Sequence, residues 1–178
     1  LNVHEVGNLP IDYAGFIFVG ESPRNVEYSP ALMLEMNKLS CQKVGVFVNA
    51  PTYFIQAKAE LFGLDVIQLH GDESPYQIET LANDYEVIKV FSVDDNFDFD
   101  LAQYESADLF LFETKGKKRG GNGTKFNWNI LQRYKGKTPF MLSGGIGQGD
   151  VGKILKINHS KFAGIDVNSG FELKPGLK

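Results

Sequence analysis

Seven short apolar runs recur along the chain, at residues 15–19, 44–48, 66–70, 87–91, 109–113, 140–144 and 164–168. Each is rich in Val, Ile, Leu or Phe and nearly continuous rather than alternating. That pattern suits parallel strands covered on both faces. Between the runs the apolar positions change to helical spacing. Ser29 is placed to cap a helix that opens at Pro30, with Leu32, Leu34 and Met36 on it. Residues 52–62 put Phe54, Ile55, Ala59 and Phe62 at helical intervals. Segments 72–81 and 128–134 read the same way, and 150–157 places Val151, Ile154 and Leu155 on one face.

The runs start 21 to 31 residues apart, the length of a βα unit. Right-handed crossovers leave two architectures, an open doubly wound sheet or a closed (β/α)8 barrel. Residues 1–9 read as helical with no strand before them, and residue 178 falls in the turn after the seventh run. The chain is therefore expected to be a single α/β domain over 1–178, a (β/α)8 TIM barrel lacking its first strand and its last helix.

Composition narrows the function. The 178 residues are 43% hydrophobic and 22% charged, as in an ordinary globular domain. A net charge of −4 argues against nucleic-acid and membrane-surface partners. No apolar stretch is long enough for a transmembrane helix, and the first residues lack a signal-peptide pattern. One cysteine, Cys41, allows neither a disulfide framework nor a cysteine-based zinc site. A cytoplasmic location is expected.

In a (β/α)8 barrel the active site gathers at the C-terminal ends of the strands. Polar residues stand there: Gly20 to Arg24 after the first run, Asn49 after the second, and Gln68-Leu69-His70-Gly71-Asp72 at the third. Glu113 closes the fifth, with a basic, glycine-rich loop over 115–123. Ser143-Gly144-Gly145 ends the sixth and Asp166 to Gly170 the seventh. Gly147-Gln148-Gly149-Asp150-Val151-Gly152 matches the spacing of a dinucleotide-binding turn, with Glu172 20 residues beyond. Only one strand follows it, too few for a βαβαβ nucleotide half.

Taken in order, the segments around Ser22-Pro23-Arg24, Asn49, Gln68-Leu69-His70-Gly71-Asp72, Gly120-Gly121-Asn122-Gly123, Ser143-Gly144-Gly145 and Gly164 to Gly170 resemble the phosphoribosylanthranilate isomerase family. The resemblance spans the whole chain. It implies a (β/α)8 barrel and an Amadori rearrangement of N-(5-phosphoribosyl)anthranilate in tryptophan biosynthesis, with no metal and no cofactor. It implies Glu113 as the general acid, where the family usually has Asp, and a catalytic base, a cysteine, on a strand upstream of Leu1. Cys41 precedes a strand and is not that base.

Under this reading Arg24 clamps the anthranilate carboxylate through its guanidinium fork. His70 and Asp166 are substrate-side polar groups. Gly144, Gly145, Asn168, Ser169 and Gly170 form a phosphate site at two turns and a helix N-terminus; Asn168 stands where the family often has Ser. The basic loop is a flap that attracts a phosphorylated, carboxylated small molecule. The plainer alternatives are a solvated Arg24, a Glu113 paired with Lys115 and ordinary turn glycines. Another phosphosugar barrel enzyme, of the histidine-pathway isomerase or indole-glycerol-phosphate synthase type, and a non-catalytic phosphosugar-binding protein remain as other readings. The assembly is expected to be a monomer or homodimer.

Overall fold

The computed structural model describes residues 2–114 and 126–178. The chain divides into two compact units, bounded as Leu1–Val87 with Glu172–Lys178, and Ile88–Phe171. None of the described helices is long and apolar enough to cross a membrane.

The first unit alternates α1 (Val3–Gly7), β1 (Tyr13–Ile17), α2 (Pro30–Met36), β2 (Gln42–Phe47), α3 (Thr52–Phe62), β3 (Val66–Leu69) and α4 (Pro75–Leu81). β1 pairs with β2 and β2 with β3, all parallel. Helix starts are set by caps. Ser29 Oγ accepts from Leu32 N at 3.2 Å ahead of Pro30, and Ser74 Oγ accepts from Gln77 N at 3.2 Å ahead of Pro75. The second cap explains why α4 starts at Pro75 and not at 72. The N–H of Asp72 is bonded to the side chain of Asn49, and Glu73 turns back onto the preceding loop. α3 ends at Gly63, whose left-handed φ of 58° suits glycine.

The core of this unit is built from Phe47, Ile55, Phe62, Ile67, Leu69, Ile78 and Leu81, all fully buried. On α3 the buried stripe is Ile55, Ala59 and Phe62, while Phe54 stays partly exposed and packs edge-on against Phe47. On α2 only Met36 is buried; Leu34 faces solvent, contrary to its apolar character. β1 lies two residues earlier than the apolar run suggests. Gln42 N donates to Asp12 O, so pairing with β2 begins at Tyr13, and it ends with Ile17 opposite Val46 and Phe18 N donating to Val46 O.

The chain enters the second unit within β4 (Glu86–Val93). β5 (Leu109–Thr114), β6 (Phe140–Ser143), α5 (Val151–Ile154) and β7 (Phe162–Ile165) follow. β4 pairs with β5, β5 with β6 and β6 with β7, again parallel, with a register irregularity at Phe140/Met141 in the last pair. An aromatic cluster fills one side of these strands. Phe112 and Phe140 lie 5.1 Å apart between ring centroids, and Tyr134 is 5.6 Å from each. The buried Tyr134 hydroxyl donates to Thr138 O at 2.8 Å.

Three expectations change here. Residues 128–134 form a 3-10 turn, Trp128–Arg133, because Asn127 caps it tightly and Tyr134 is drawn into the aromatic cluster. Residues 150–157 give a 3-10 turn, Gln148–Asp150, and a single α turn, with Val151 and Leu155 exposed. β7 starts at Phe162 and not at 164, because Phe140 N donates to Lys161 O and the Phe162 ring packs at a tilt against Phe140.

Removing the α2 cap with Ser29→Ala should lower unfolding free energy by about 1 kcal/mol. Phe62→Ala should lower it by about 3–5 kcal/mol, since it empties a fully buried site. Urea unfolding of the two variants checks both values.

Candidate active site

β5 is buried along all six residues, so its polar end buries a carboxyl group and a hydroxyl. Glu113 is 6% exposed and stands in register with Ser143 on β6. Ser143 Oγ donates in turn to Asp166 Oδ2 at 3.3 Å, just beyond β7. Asp166 is held there by its own N–H, which donates to Leu142 O at 2.9 Å. Three neighbouring strand ends of one unit thus carry Glu113, Ser143 and Asp166 side by side.

The next residues are those expected to form the phosphate site. Gly144 has φ +92°, and a Cβ there would come within 2.7 Å of Thr114 N. Gly145 has φ +68°. A Cβ on Gly170 would fall 2.3 Å from Ile146 O. These glycines are needed because the turn after β6 presses on the end of β5 and on the turn after β7. Asn168, Ser169 and Gly170 are exposed. The expected helix N-terminus is reduced: α5 has four residues, and the 3-10 turn before it is capped by Asp150 Oδ2, which accepts from Gly147 N at 2.8 Å. Any anion here would be held by loop N–H groups, with little contribution from a helix dipole. The Asp150 contact also occupies the first glycine of the dinucleotide-like spacing.

The first unit holds the remaining candidates. Arg24 follows β1 and is not a solvated loop residue. Its Nε donates to both carboxylate oxygens of Glu172, at 2.9 and 3.0 Å, and Nη2 donates to Oε2. The Glu172 side chain is 4% exposed. Hydrogen bonding from Arg24 holds the Glu172 carboxyl below its usual range against the opposing effect of burial, and the same bond raises the guanidinium. His70 lies one residue past β3, half-buried, with its N–H on Phe47 O. Cys41 sits directly before β2, at the strand's N-terminal end.

Two pairings escaped the sequence reading. The first joins Glu172 to Arg24, and no local signal links residues 148 positions apart. The second joins Glu73 to Asn49. The buried Glu73 carboxylate accepts from Asn49 N at 2.8 Å and Gly71 N at 2.9 Å, and Asn49 Oδ1 accepts from Asp72 N at 2.7 Å. Asn49 has φ +50°, a conformation that Asn tolerates better than most residues. These bonds tie the ends of β2 and β3 together and fix the loop that follows His70. The flap over 115–123 lies outside the described residues.

Parallel βα units with polar side chains at the strand ends define the class: an α/β protein whose candidate site lies at the C-terminal ends of its strands. The family model of N-(5'-phosphoribosyl)anthranilate (PRA) isomerase matches residues 2–178. The N-(5'-phosphoribosyl)anthranilate isomerase of Parabacteroides distasonis is 46% identical over 182 residues, covering 99% of this chain and 82% of the relative. The crystal structure of the Thermus thermophilus phosphoribosyl anthranilate isomerase superposes with a TM-score of 0.82 at 26% identity, covering 99% of this chain and 84% of that one. A phosphoribosyl anthranilate isomerase solved in complex with reduced 1-(o-carboxyphenylamino)-1-deoxyribulose 5-phosphate has a TM-score of 0.75 at 29% identity, covering 94% and 80%. The chain belongs to the N-(5'-phosphoribosyl)anthranilate isomerase family.

The Arg24–Glu172 pair sets a pH dependence. Because the folded Glu172 carboxyl lies below its usual 4.5, its stabilisation is complete above that value and is lost as pH falls through the lower, folded one. Urea midpoints measured from pH 7 to about pH 3 should therefore fall more steeply in the wild type than in Glu172→Gln.

Proposed function

We propose that the chain catalyses the Amadori rearrangement of N-(5'-phosphoribosyl)anthranilate to 1-(2-carboxyphenylamino)-1-deoxyribulose 5-phosphate, a step of tryptophan biosynthesis, without metal or cofactor. The βα units are read as one (β/α)8-barrel domain of a cytoplasmic enzyme, monomeric or homodimeric. The observation that carries the reading is the row of Glu113, Ser143 and Asp166 beside the glycine turns at Gly144, Gly145 and Gly170. It supports reading Glu113 as a proton donor and the glycine turns as an anion cradle within one unit.

Protonated Glu113 gives its proton to the ribose ring oxygen as the bond from that oxygen to C1 breaks. The anilino nitrogen supplies the electron pair, leaving an iminium at C1. A base then takes the C2 proton, and the electrons move to form an enolamine, which becomes the ketone. That base is read as the cysteine of the family's first strand, which these 178 residues do not include. Asp166 orients through Ser143, and His70 is a polar group on the substrate side. Arg24 takes the anthranilate carboxylate, and the turns bearing Gly144, Gly145, Asn168, Ser169 and Gly170 take the phosphate.

Glu113→Gln, in the protein carrying the upstream strand, should keep substrate affinity and lose at least about 100-fold in turnover, because an amide delivers no proton. Fluorescence of the anthranilate group follows the reaction; turnover near wild type would remove Glu113 from the mechanism. Gly145→Val should raise KM and weaken binding of the reduced product analogue, since φ +68° is strained for a β-branched residue. Unchanged KM and affinity would count against the phosphate assignment.

A further inference from the structure

Arg24 is the group proposed to receive the substrate's carboxylate, yet it already holds one. Its guanidinium has five N–H donors in a fixed plane. Glu172 takes the Nε–H and one hydrogen of Nη2, which is the side edge of the fork. Both hydrogens of Nη1 and the second of Nη2 make no hydrogen bond among the described residues. One hydrogen of Nη1 and the second of Nη2 form the end edge, whose two parallel N–H groups fit a second carboxylate.

Glu172 is itself held from behind. Its Oε1 accepts from Gly176 N at 3.0 Å. Gly176 has φ +79° and follows Pro175 in a turn closed by Leu177 N donating to Lys174 O at 2.8 Å. Pro and Gly occupy the two central positions that a turn of this kind favours. On the other side, Arg24 N donates to Ser22 Oγ at 3.1 Å. The Glu172 side chain is 4% exposed and that of Arg24 23%, so the carboxylate is enclosed while the cation keeps an open edge.

We infer that Glu172 is a positioning residue: by occupying the side edge of Arg24 it presents the end edge to a single incoming carboxylate, and so selects an ortho-carboxylated aryl amine over an uncarboxylated one. This rests on the reading of Arg24 as the carboxylate clamp. Glu172 touches no substrate atom. It also offsets the Arg24 charge, so that selection depends on the geometry of the fork more than on a diffuse positive field.

The test compares two probes by calorimetric titration: reduced 1-(o-carboxyphenylamino)-1-deoxyribulose 5-phosphate, and the same compound without its carboxyl group. Wild type, Arg24→Ala and Glu172→Gln are titrated with each, with near-UV circular dichroism reporting the fold. The wild type should prefer the carboxylated probe by about tenfold or more, the scale of a charge-assisted hydrogen bond. Arg24→Ala should lose that preference. Glu172→Gln should lose most of it through weaker binding of the carboxylated probe alone, with the other probe within about twofold of wild type. If Glu172→Gln keeps the preference while Arg24→Ala loses it, the inference fails and the function reading stands. Equal weakening of both probes by Glu172→Gln shows a general structural role and also overturns it. A preference that survives in Arg24→Ala, or is missing from the wild type, sinks the clamp reading and the inference with it.

Discussion

A strand covered on both faces has one place to carry a polar side chain that solvent or a ligand can reach, and that place is its end. Every strand from β2 to β6 is largely buried, and β5 is buried throughout. Leaving a charge inside such a strand is costly unless it is paired. Gln68 and Lys89 are buried within β3 and β4, but the other candidate polar residues stand where the strands stop: Arg24 and Asn49 after β1 and β2, His70 after β3, Glu113 at the end of β5, Ser143 at the end of β6 and Asp166 after β7.

The same constraint explains what was legible in the sequence. Continuous apolar runs marked the strands because both faces needed covering. Ser29 before Pro30 marked a helix because its cap is a local contact. Strand limits were less legible, since the partner sets them: β1 begins where Gln42 meets Asp12, and β7 begins where Lys161 meets Phe140. Periodicity also overstated α5, where Val151 and Leu155 fit one helical face yet stay exposed.

The candidate site divides in a similar way. Glu113 and the glycine turns could be found because they adjoin apolar runs. The bond between Arg24 and Glu172 could not, because nothing local joins residues so far apart. Glu73 was missed for a different reason: it lies at what looks like a helix start, and only the fold reveals that its carboxylate accepts from the N–H groups of Gly71 in the preceding loop and of Asn49 after β2 instead.

The close approach of Gly144 to Thr114 has a mechanical consequence. Thr114 is covalently next to Glu113, and Gly144 is covalently next to Gly145, so under the proposed function the contact between them works as a fixed ruler between the proposed proton donor and the proposed anion cradle. A side chain inserted at Gly144 would lengthen that ruler at both ends together. Substitutions at Gly144 and Glu113 should for this reason fail to combine additively, as expected for residues that share one contact. A sugar phosphate one carbon shorter or longer than the natural substrate would meet a gauge that neither loop can reset alone.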